Sequence, residues 1–433
     1  MKQLLLFGAG KSATVLIDYL KQTATQKQWQ VTIADLNLAA VQAKVGDHAR
    51  VKAVGVSIND ATARQALILQ ADVVISLLPP ALHYTVALDC LAFGKHLLTA
   101  SYVDDKIRAL AAEIKEKQIL FLCEMGLDPG IDHMSAMQLI HRIKAKGGRI
   151  ESFFSHCGGL VAPESDTNPW HYKISWNPRN VVLAGKAGAI YKEDTAVQRR
   201  TYEQVFTGCG EVNIQGLGTL AYYPNRDSLS YIPTYGLENT ATFKRTTLRY
   251  PDFCTGWKQL IDLGLTDETD SVATDGLSIA EFLQQRCRDR KIRFEAMTPL
   301  LQEQFLFLGW NDDTLINKGH CCSADVLQFI LEKQWVLLPG DKDLVVMLHE
   351  LGYEMDGAHY QVSSSLVVTG EDHIRTAMAK TVGLPLGIAA TLLLEGQIRE
   401  TGLHIPIIPA IYEPVLQKLQ EQGIVFHETA GGK

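Results

Sequence analysis

The chain contains no C-x-x-C pair, although it holds eight cysteines, at positions 90, 123, 157, 209, 254, 287, 321 and 322. That spacing excludes the usual zinc-ribbon and dithiol motifs. His320-Cys321-Cys322 does not rescue a metal reading, because adjacent cysteines do not easily ligate one ion, so no metal is expected and the thiols are read as reduced. Long apolar runs are missing too: nothing reaches the roughly 18 uninterrupted residues of a membrane span. No charged leader precedes the first strand-like run, so no export signal is read and a cytoplasmic location is expected. Positive charge is in deficit, with 41 Lys and Arg against 48 Asp and Glu and a net charge of −7. This argues against a nucleic-acid surface. Internal repeats and low-complexity linkers are also lacking. What remains is an ordinary globular balance, 46% hydrophobic and 21% charged over 433 residues, enough for two or three domains.

The most informative stretch is the first. Leu4-Leu5-Leu6-Phe7 fits a buried strand and runs into Gly8-Ala9-Gly10-Lys11-Ser12-Ala13, a helical pattern to Leu20, and a second strand ending at Asp35. This is G-x-G-x-x-A in a strand–turn–helix–strand, closed by an acid. Gly8 allows the tight turn, Gly10 lets the backbone approach a pyrophosphate, and small Ala13 lets helix and strand pack closely. The helix N-terminus then faces the phosphates, and Asp35 can accept hydrogen bonds from the adenosine ribose. The plainer alternative is a glycine turn in an α/β core with no ligand. A P-loop is excluded, since the glycine it needs five residues before Gly10 is Leu5. Asp35 would repel a 2′-phosphate, and Leu36-Asn37-Leu38-Ala39-Ala40 offers no Arg to neutralise one, so NAD is expected over NADP.

Helix and strand alternate through residue 125. Strands are expected at 51–57, 72–78, 96–100 and 119–123, and helices over 82–93 and from Asp104-Asp105 to about Lys117. This alternation predicts a parallel sheet with ligands at the carboxyl ends of its strands. After residue 150 short β-like runs appear, at 150–157, 180–183, 187–191 and 242–248, which predicts an α+β domain. Residues 257–316 read as a small helical subdomain, with helices over 278–291, capped by Ser278 and Glu281, and over 298–307. Further helices are expected over 324–333, 376–394 and 411–422, and strands over 343–349, 359–368 and 424–426. The domains are therefore placed at 1–125, with part of 380–433 packing back on it, at 126–256 with 317–380, and at 257–316.

Three segments carry chemistry. Residues 126–134 concentrate glycine and proline directly after the sixth strand, where an Asp-Pro-Gly turn can hold the Asp128 carboxylate beside a reacting carbon. The alternative is a turn and helix cap joining two domains, with Asp132 as the cap. Cys157-Gly158-Gly159 allows close backbone approach, and Lys173 and Arg179 supply positive charge; the alternative is an irregular loop with surface charges. Arg226 and Arg249 can each fork onto a carboxylate, although surface arginines are common.

Taken together these segments closely resemble saccharopine dehydrogenases of the glutamate-forming type. The resemblance rests on the G-x-G-x-x-A start, Thr99-Ala100-Ser101-Tyr102, Gly126-Leu127-Asp128-Pro129-Gly130-Ile131-Asp132-His133, Cys157-Gly158-Gly159-Leu160 with Pro163-Glu164, and Tyr172-Lys173-Ile174-Ser175-Trp176-Asn177-Pro178-Arg179. Pro224-Asn225-Arg226-Asp227-Ser228 and Thr247-Leu248-Arg249-Tyr250 complete it. It implies an α/β protein: a Rossmann dinucleotide-binding domain, an α/β substrate and dimerisation domain, and a small helical one, assembled as a homodimer. It implies oxidation of saccharopine to L-glutamate and 2-aminoadipate 6-semialdehyde, with Ser101, Tyr102, Asp128, Arg226, Thr247, Leu248 and Arg249 at the substrate. Cofactor contacts are implied at Gly8, Ala9, Gly10, Lys11, Ser12, Ala13, Asp35, Leu78, Pro79 and Asn177. Met125, Gly126, Leu127, Gly130, Ile131 and Asp132 are implied to join them. Proton transfers after hydride loss would use Asp128, Tyr102, Cys157 or the substrate's own amine.

Two departures stand out. Fungal members of the family look NADP-dependent, whereas Asp35 favours NAD. Trp170 and His171 replace smaller residues expected between Pro169 and Tyr172, which bears on the pocket. Two rival functions are a reductase of carboxyalkyl polyamines and a catalytically idle NAD-binding sensor. The first would make a second arginine clamp superfluous, and the second would leave Asp128, Cys157, Arg226 and Arg249 without purpose.

Overall fold

The computed structural model describes residues 1–431. It divides into two compact units, Met1–Gly148 with Ile374–Phe426, and Arg149–His373 with the chain from His427 on.

In the first unit, six strands alternate with helices. They are β1 (Gln3–Phe7), β2 (Gln30–Asp35), β3 (Val51–Gly55), β4 (Val73–Ser76), β5 (His96–Thr99) and β6 (Leu120–Leu122). Their order in the sheet is β3-β2-β1-β4-β5-β6, all parallel. The reversal between β1 and β4 is the switch point at which such sheets bind dinucleotides. The helices are α1 (Thr14–Lys27), α2 (Leu38–Val45), α3 (Ala61–Gln70), α4 (Pro80–Phe93), α5 (Asp105–Ala109), α6 (Ala111–Glu116) and α7 (Ile131–Ala145). Side-chain caps set several starts: Asn37, Asp60 and Asp104 each accept an amide of the first turn of α2, α3 and α5, satisfying a donor the helix leaves orphaned. The expected single helix from residue 104 to 117 is two, broken at Leu110.

The second unit is built on a long mixed sheet. Its strands are β7 (Arg149–Val161), β8 (Ala189–Glu193), β9 (Ala196–Arg200), β10 (Gly210–Ile214), β11 (Gly218–Pro224), β12 (Arg226–Asp227) and β13 (Thr242–Arg249). Short helices α8 (Pro178–Val182), α9 (Tyr202–Val205) and α10 (Tyr231–Thr234) interrupt them. Residues 180–183 were expected to be β-like, but Pro178 at the first helical position and an Asn177 cap on the Arg179 amide start α8 there. Next come α11 (Pro251–Asp262), α12 (Ile279–Asp289), α13 (Pro299–Leu308) and α14 (Ser323–Gln334), with a two-stranded pair β14 (Val272–Ala273) and β15 (His320–Cys321). Ser278 and Glu281 form the expected capping box of α12. β16 (Asp343–Met355) and β17 (Ala358–Thr369) close the sheet in the order β10-β11-β13-β7-β16-β17.

Helices α11 to α14 share one apolar core with Trp170, Tyr172, Tyr223 and Trp335. Trp170 is fully buried in it, and its indole N–H donates to the Gln304 carbonyl at 3.0 Å. Trp170 is therefore a core residue, held by area and one satisfied donor.

The chain then re-enters the first unit as α15 (Ala377–Leu394), β18 (Gly402–His404) and α16 (Pro409–Glu421), and ends in the second as β19 (His427–Gly431). β18 pairs in parallel with β6 and was not foreseen. The strand expected at 424–426 lies instead at His427–Gly431, paired with β17. Helix α15 is long and apolar enough to cross a membrane, but 83% of that window is buried inside the protein, which marks a core helix. A Cβ on Gly383 would lie 2.9 Å from the Leu16 Cβ, and one on Gly387 would lie 2.7 Å from the Tyr19 ring. The two glycines thus let α15 close against α1 and brace the glycine turn that precedes it.

Candidate active site

The first unit places the dinucleotide motif at the carboxyl end of β1. Gly8 has φ +99, and a Cβ there would sit 2.4 Å from the Leu77 carbonyl oxygen, so only glycine fits the turn. Nothing lies within 4 Å of where a Gly10 Cβ would be, which leaves an open approach to the backbone. Ala9 and Ala13 are buried, Lys11 is exposed and Ser12 half-buried. No side chain caps the turn Lys11–Ala13 or α1, so their leading amides suit an anionic ligand. The Asp35 carboxylate accepts the Ala9 amide at 2.8 Å and the Asn37 amide at 3.0 Å, which fixes it at the end of β2 beside the turn. Leu36 after it is 78% exposed and brings no charge. This cradle fits a dinucleotide, with the turn for the pyrophosphate and Asp35 for the ribose.

Sequence reasoning missed Lys44. Its ammonium reaches from α2 to the Ala9 carbonyl at 2.8 Å and the Gly10 carbonyl at 2.6 Å, bracing the turn. Burial lowers its pKa, against the opposing pull of Asp35 and Asp18. The available signal was spacing: Lys44 stands three residues after Val41, which faces the core, and so lies one turn along nearly the same helix face.

Three neighbouring strand ends supply the rest of this unit's candidates. Leu78 is half-buried and exposed Pro79 occupies the N-cap position of α4. After β5, Ser101 donates or accepts at His83 Nε2 over 2.7 Å, and His83 Nδ1 meets the Ser76 hydroxyl at 2.8 Å. After β6, the Glu124 amide bonds the Ser101 carbonyl and the Met125 amide the Thr99 carbonyl, both at 3.0 Å. These bonds tie the loop at 124–132 to the turn at 99–102. Within the loop the Asp128–Pro129 peptide is cis. Gly126 donates to the Pro129 carbonyl, Ile131 to that of Gly126, and Asp132 to that of Leu127. Gly130 has φ +149, and a Cβ on it would fall 2.1 Å from the Gly126 carbonyl oxygen. Gly130, not Asp132, takes the cap position of α7; the Asp132 carboxylate turns back to accept the Gly130 amide at 2.6 Å. The outcome is a Tyr102 hydroxyl 3.4 Å from the Asp128 carboxylate, with both residues half-buried. Beneath them, Glu124 accepts the Val103 amide at 3.1 Å and meets His133 Nε2 at 2.8 Å, locking the two turns together.

In the second unit, register decides which candidates share a face. Cys157 on β7 is paired with Thr247 on β13, and alternation puts Arg249 on the same face as Thr247. Leu248 points the other way, into a cluster with Leu160, Leu220, Leu344 and Val346. Of the Thr247-Leu248-Arg249 run, then, Leu248 offers that face only its backbone. Gly158 matters sterically, since a Cβ there would lie 2.5 Å from the Leu248 carbonyl oxygen. Arg226 is exposed at the start of β12.

Arg249 is different. It is 5% exposed, its Nη1 donates to the Leu248 carbonyl at 2.7 Å, and its buried Nε has no partner. The Tyr172 and Phe253 rings lie 5.2 and 5.3 Å away. No acid among the described residues pairs with it. Two other expected cations of this unit are spent internally: Lys173 on Asp341 at 2.7 Å, and Arg179 on Asp325 at 2.9 Å and Glu268 at 2.8 Å. Asn177 caps α8, its side-chain oxygen accepting the Arg179 amide at 2.9 Å. Cys321 lies in β15 and Cys322 caps α14 with Asp325.

Comparison with known proteins follows the same outline. Residues 4–122 match the saccharopine dehydrogenase NADP binding domain, and 126–424 the saccharopine dehydrogenase C-terminal domain. The chain is 32% identical over 446 residues to the Saccharomyces cerevisiae saccharopine dehydrogenase [NADP(+), L-glutamate-forming], covering 99% of each. It is also 32% identical to the Arabidopsis thaliana alpha-aminoadipic semialdehyde synthase, of which it spans 44%. A solved apo saccharopine dehydrogenase (L-Glu forming) from S. cerevisiae superposes with a TM-score of 0.89 at 31% identity over the whole of both chains. A homospermidine synthase from Legionella pneumophila in complex with NAD shares the fold, with a TM-score of 0.60 at 11% identity.

Proposed function

The chain belongs to the saccharopine dehydrogenase family, and we propose that it oxidises L-saccharopine reversibly to L-glutamate and 2-aminoadipate 6-semialdehyde with a nicotinamide dinucleotide. The observation that carries this reading is Arg249. A buried guanidinium with no internal acid is costly, and a substrate carboxylate repays that cost. Arg226, exposed at the start of β12, would meet a second carboxylate and so add to the cation supply that a tricarboxylate needs. A carboxyalkyl polyamine, richer in amines, would call for acids where Arg249 stands.

Gly8 to Ala13 and Asp35 would hold the dinucleotide, which when bound would supply the hydride acceptor for the carbon beside the secondary amine. The chain's own groups govern the proton steps. The imine left by hydride loss takes up water, and the resulting carbinolamine collapses to amine and aldehyde. We assign Asp128 and Tyr102 to positioning and tuning these transfers, with Cys157 and the substrate amine as the other proton carriers. Asp35 supports NAD as the preferred cofactor, because its charge would face a 2′-phosphate and Lys44, the nearby cation, is held on two turn carbonyls. This runs against the NADP(+) in the fungal relatives' names. By family resemblance the working form is a homodimer assembled through the second unit.

The test is saccharopine-dependent reduction of NAD and, separately, of NADP by purified protein. Turnover with NAD preferred supports both parts. Preference for NADP keeps the reaction and removes the Asp35 argument. No turnover with either, in folded protein that binds NADH, removes the reaction.

A further inference from the structure

One polar chain lies in the first unit that the reaction as written does not use. Ser76 ends β4 and is fully buried, His83 lies on α4 and is 5% exposed, and Ser101 follows β5 and is half-buried. Two hydrogen bonds link them, Ser76 Oγ to His83 Nδ1 at 2.8 Å and His83 Nε2 to Ser101 Oγ at 2.7 Å. Thr99 Oγ1 flanks the ring at 3.4 Å and accepts the Ser101 amide at 3.2 Å. Of the three relay members only Ser101 is not buried.

We propose that His83 is a positioning residue which, anchored by Ser76, sets the Ser101 hydroxyl as a hydrogen-bond donor to a substrate carboxylate. The proposal rests on the reading that Ser101 meets saccharopine. Proton counting carries it. A neutral imidazole has one N–H and one bare nitrogen. If Nδ1 held the proton, Ser101 would spend its O–H on Nε2 and offer a ligand only lone pairs, which repel a carboxylate. If Nε2 holds it, Ser76 donates to Nδ1, Ser101 accepts from Nε2–H, and the Ser101 O–H is free to donate outward. An anionic ligand therefore selects the second arrangement. Neutrality is secured by burial, which pulls the His83 pKa down to about 4 against the opposing charge of Asp104.

The test is a double-mutant cycle on the full chain, with saccharopine KM, kcat and NADH affinity as readouts. His83→Ala is expected to raise KM for saccharopine by roughly tenfold, about the worth of a charge-assisted hydrogen bond, with NADH affinity and kcat little changed. In a Ser101→Ala background the same change is expected to add less than about twofold, because the group it acts through is gone. Ser76→Ala, a smaller cut at the far end, is expected to act in the same direction and also to fall silent without Ser101. Multiplicative effects of His83→Ala and Ser101→Ala, or of Ser76→Ala and Ser101→Ala should His83→Ala not fold, overturn the proposal. A Ser101→Ala enzyme with unchanged KM overturns it as well. If the wild-type protein turns over no saccharopine, the family reaction fails instead. The relay is then judged by the His83 ring nitrogen shifts in 15N-histidine protein saturated with NADH and with L-glutamate as the carboxylate probe: an Nε2–H tautomer sustains it, and an Nδ1–H tautomer refutes it.

Discussion

Replacing Arg249 by Met separates what this residue costs the fold from what it gives the reaction. Three terms act on stability. Removing a buried charge that lacks an internal acid relieves a desolvation penalty, and exchanging buried ionic groups for apolar ones of similar volume is often neutral or stabilising by about 1–4 kcal/mol. Against this, the contacts with the Tyr172 and Phe253 rings, at 5.2 and 5.3 Å, are lost; the two rings pack on each other and share this one cation, and a desolvated cation–π contact is worth about 2 kcal/mol. The bond to the Leu248 carbonyl is lost as well, at about 1 kcal/mol net. The sum lies close to zero, so a denaturant titration should show a change within about 2 kcal/mol. Catalysis should respond quite differently. Truncating one partner of a buried, hydrogen-bonded charge pair costs about 2–5 kcal/mol, which is roughly 30-fold to several-thousand-fold in kcat/KM for saccharopine. Steady-state kinetics and the titration on one preparation read both numbers. A variant destabilised by more than about 3 kcal/mol whose kcat/KM stays near wild type would refute the reasoning and make Arg249 a structural pillar.

Asp35→Asn removes the charge that faces a 2′-phosphate while keeping an acceptor for the Ala9 amide, so the NADP-to-NAD ratio of kcat/KM should rise by roughly tenfold; an unchanged ratio places the selectivity elsewhere. Asp128→Asn should slow turnover by less than about a thousandfold, because Asp128 tunes rather than acts as an obligatory base; a larger loss in single-turnover hydride transfer contradicts that role. Gly130→Ala forces a Cβ 2.1 Å from the Gly126 carbonyl oxygen at φ +149 and should abolish turnover through the 124–132 loop; a folded variant with wild-type turnover would show that the loop is not needed in this form. His171 has its pKa raised above 6.5, chiefly by its hydrogen bond to Asp166. Its contribution to stability is therefore full below about pH 6.5 and fades as pH rises through the raised folded value. His171→Asn should accordingly lower Tm more at about pH 6 than at about pH 9, and equal lowering at both would show that the pair does not titrate with folding.

Local signals were readable wherever the chemistry is local. The dinucleotide turn, the acid ending β2, the Ser278–Glu281 capping box and the apolar strands of the parallel sheet each depend on residues a few positions apart. The 126–134 loop was legible as a site because glycine and proline at fixed offsets leave few backbone choices, although it took coordinates to show that Gly130 and not Asp132 takes the cap position of α7. Residues 180–183 misled because their apolar run outweighed the Asn177-Pro178 start of α8. β18 was missed because three residues carry too little periodicity to read. The facing of Leu248 became visible only once β13 was registered against β7.

Charge shows the division most clearly. The sequence by itself determined where the cations stand, that one unit begins with a dinucleotide turn, and that the motifs follow the order of one enzyme family. It did not determine which cations remain available. Arg179 and Arg249 are the same residue type in comparably suggestive motifs, yet Arg179 is neutralised by an acid 146 positions away and Lys173 by one 168 positions away. Arg249 has no such partner among the described residues and lies buried against two rings. Pairing across that much chain depends on how strands register and helices pack, not on any local window, so only the tertiary structure decided which positive charge is left for a substrate.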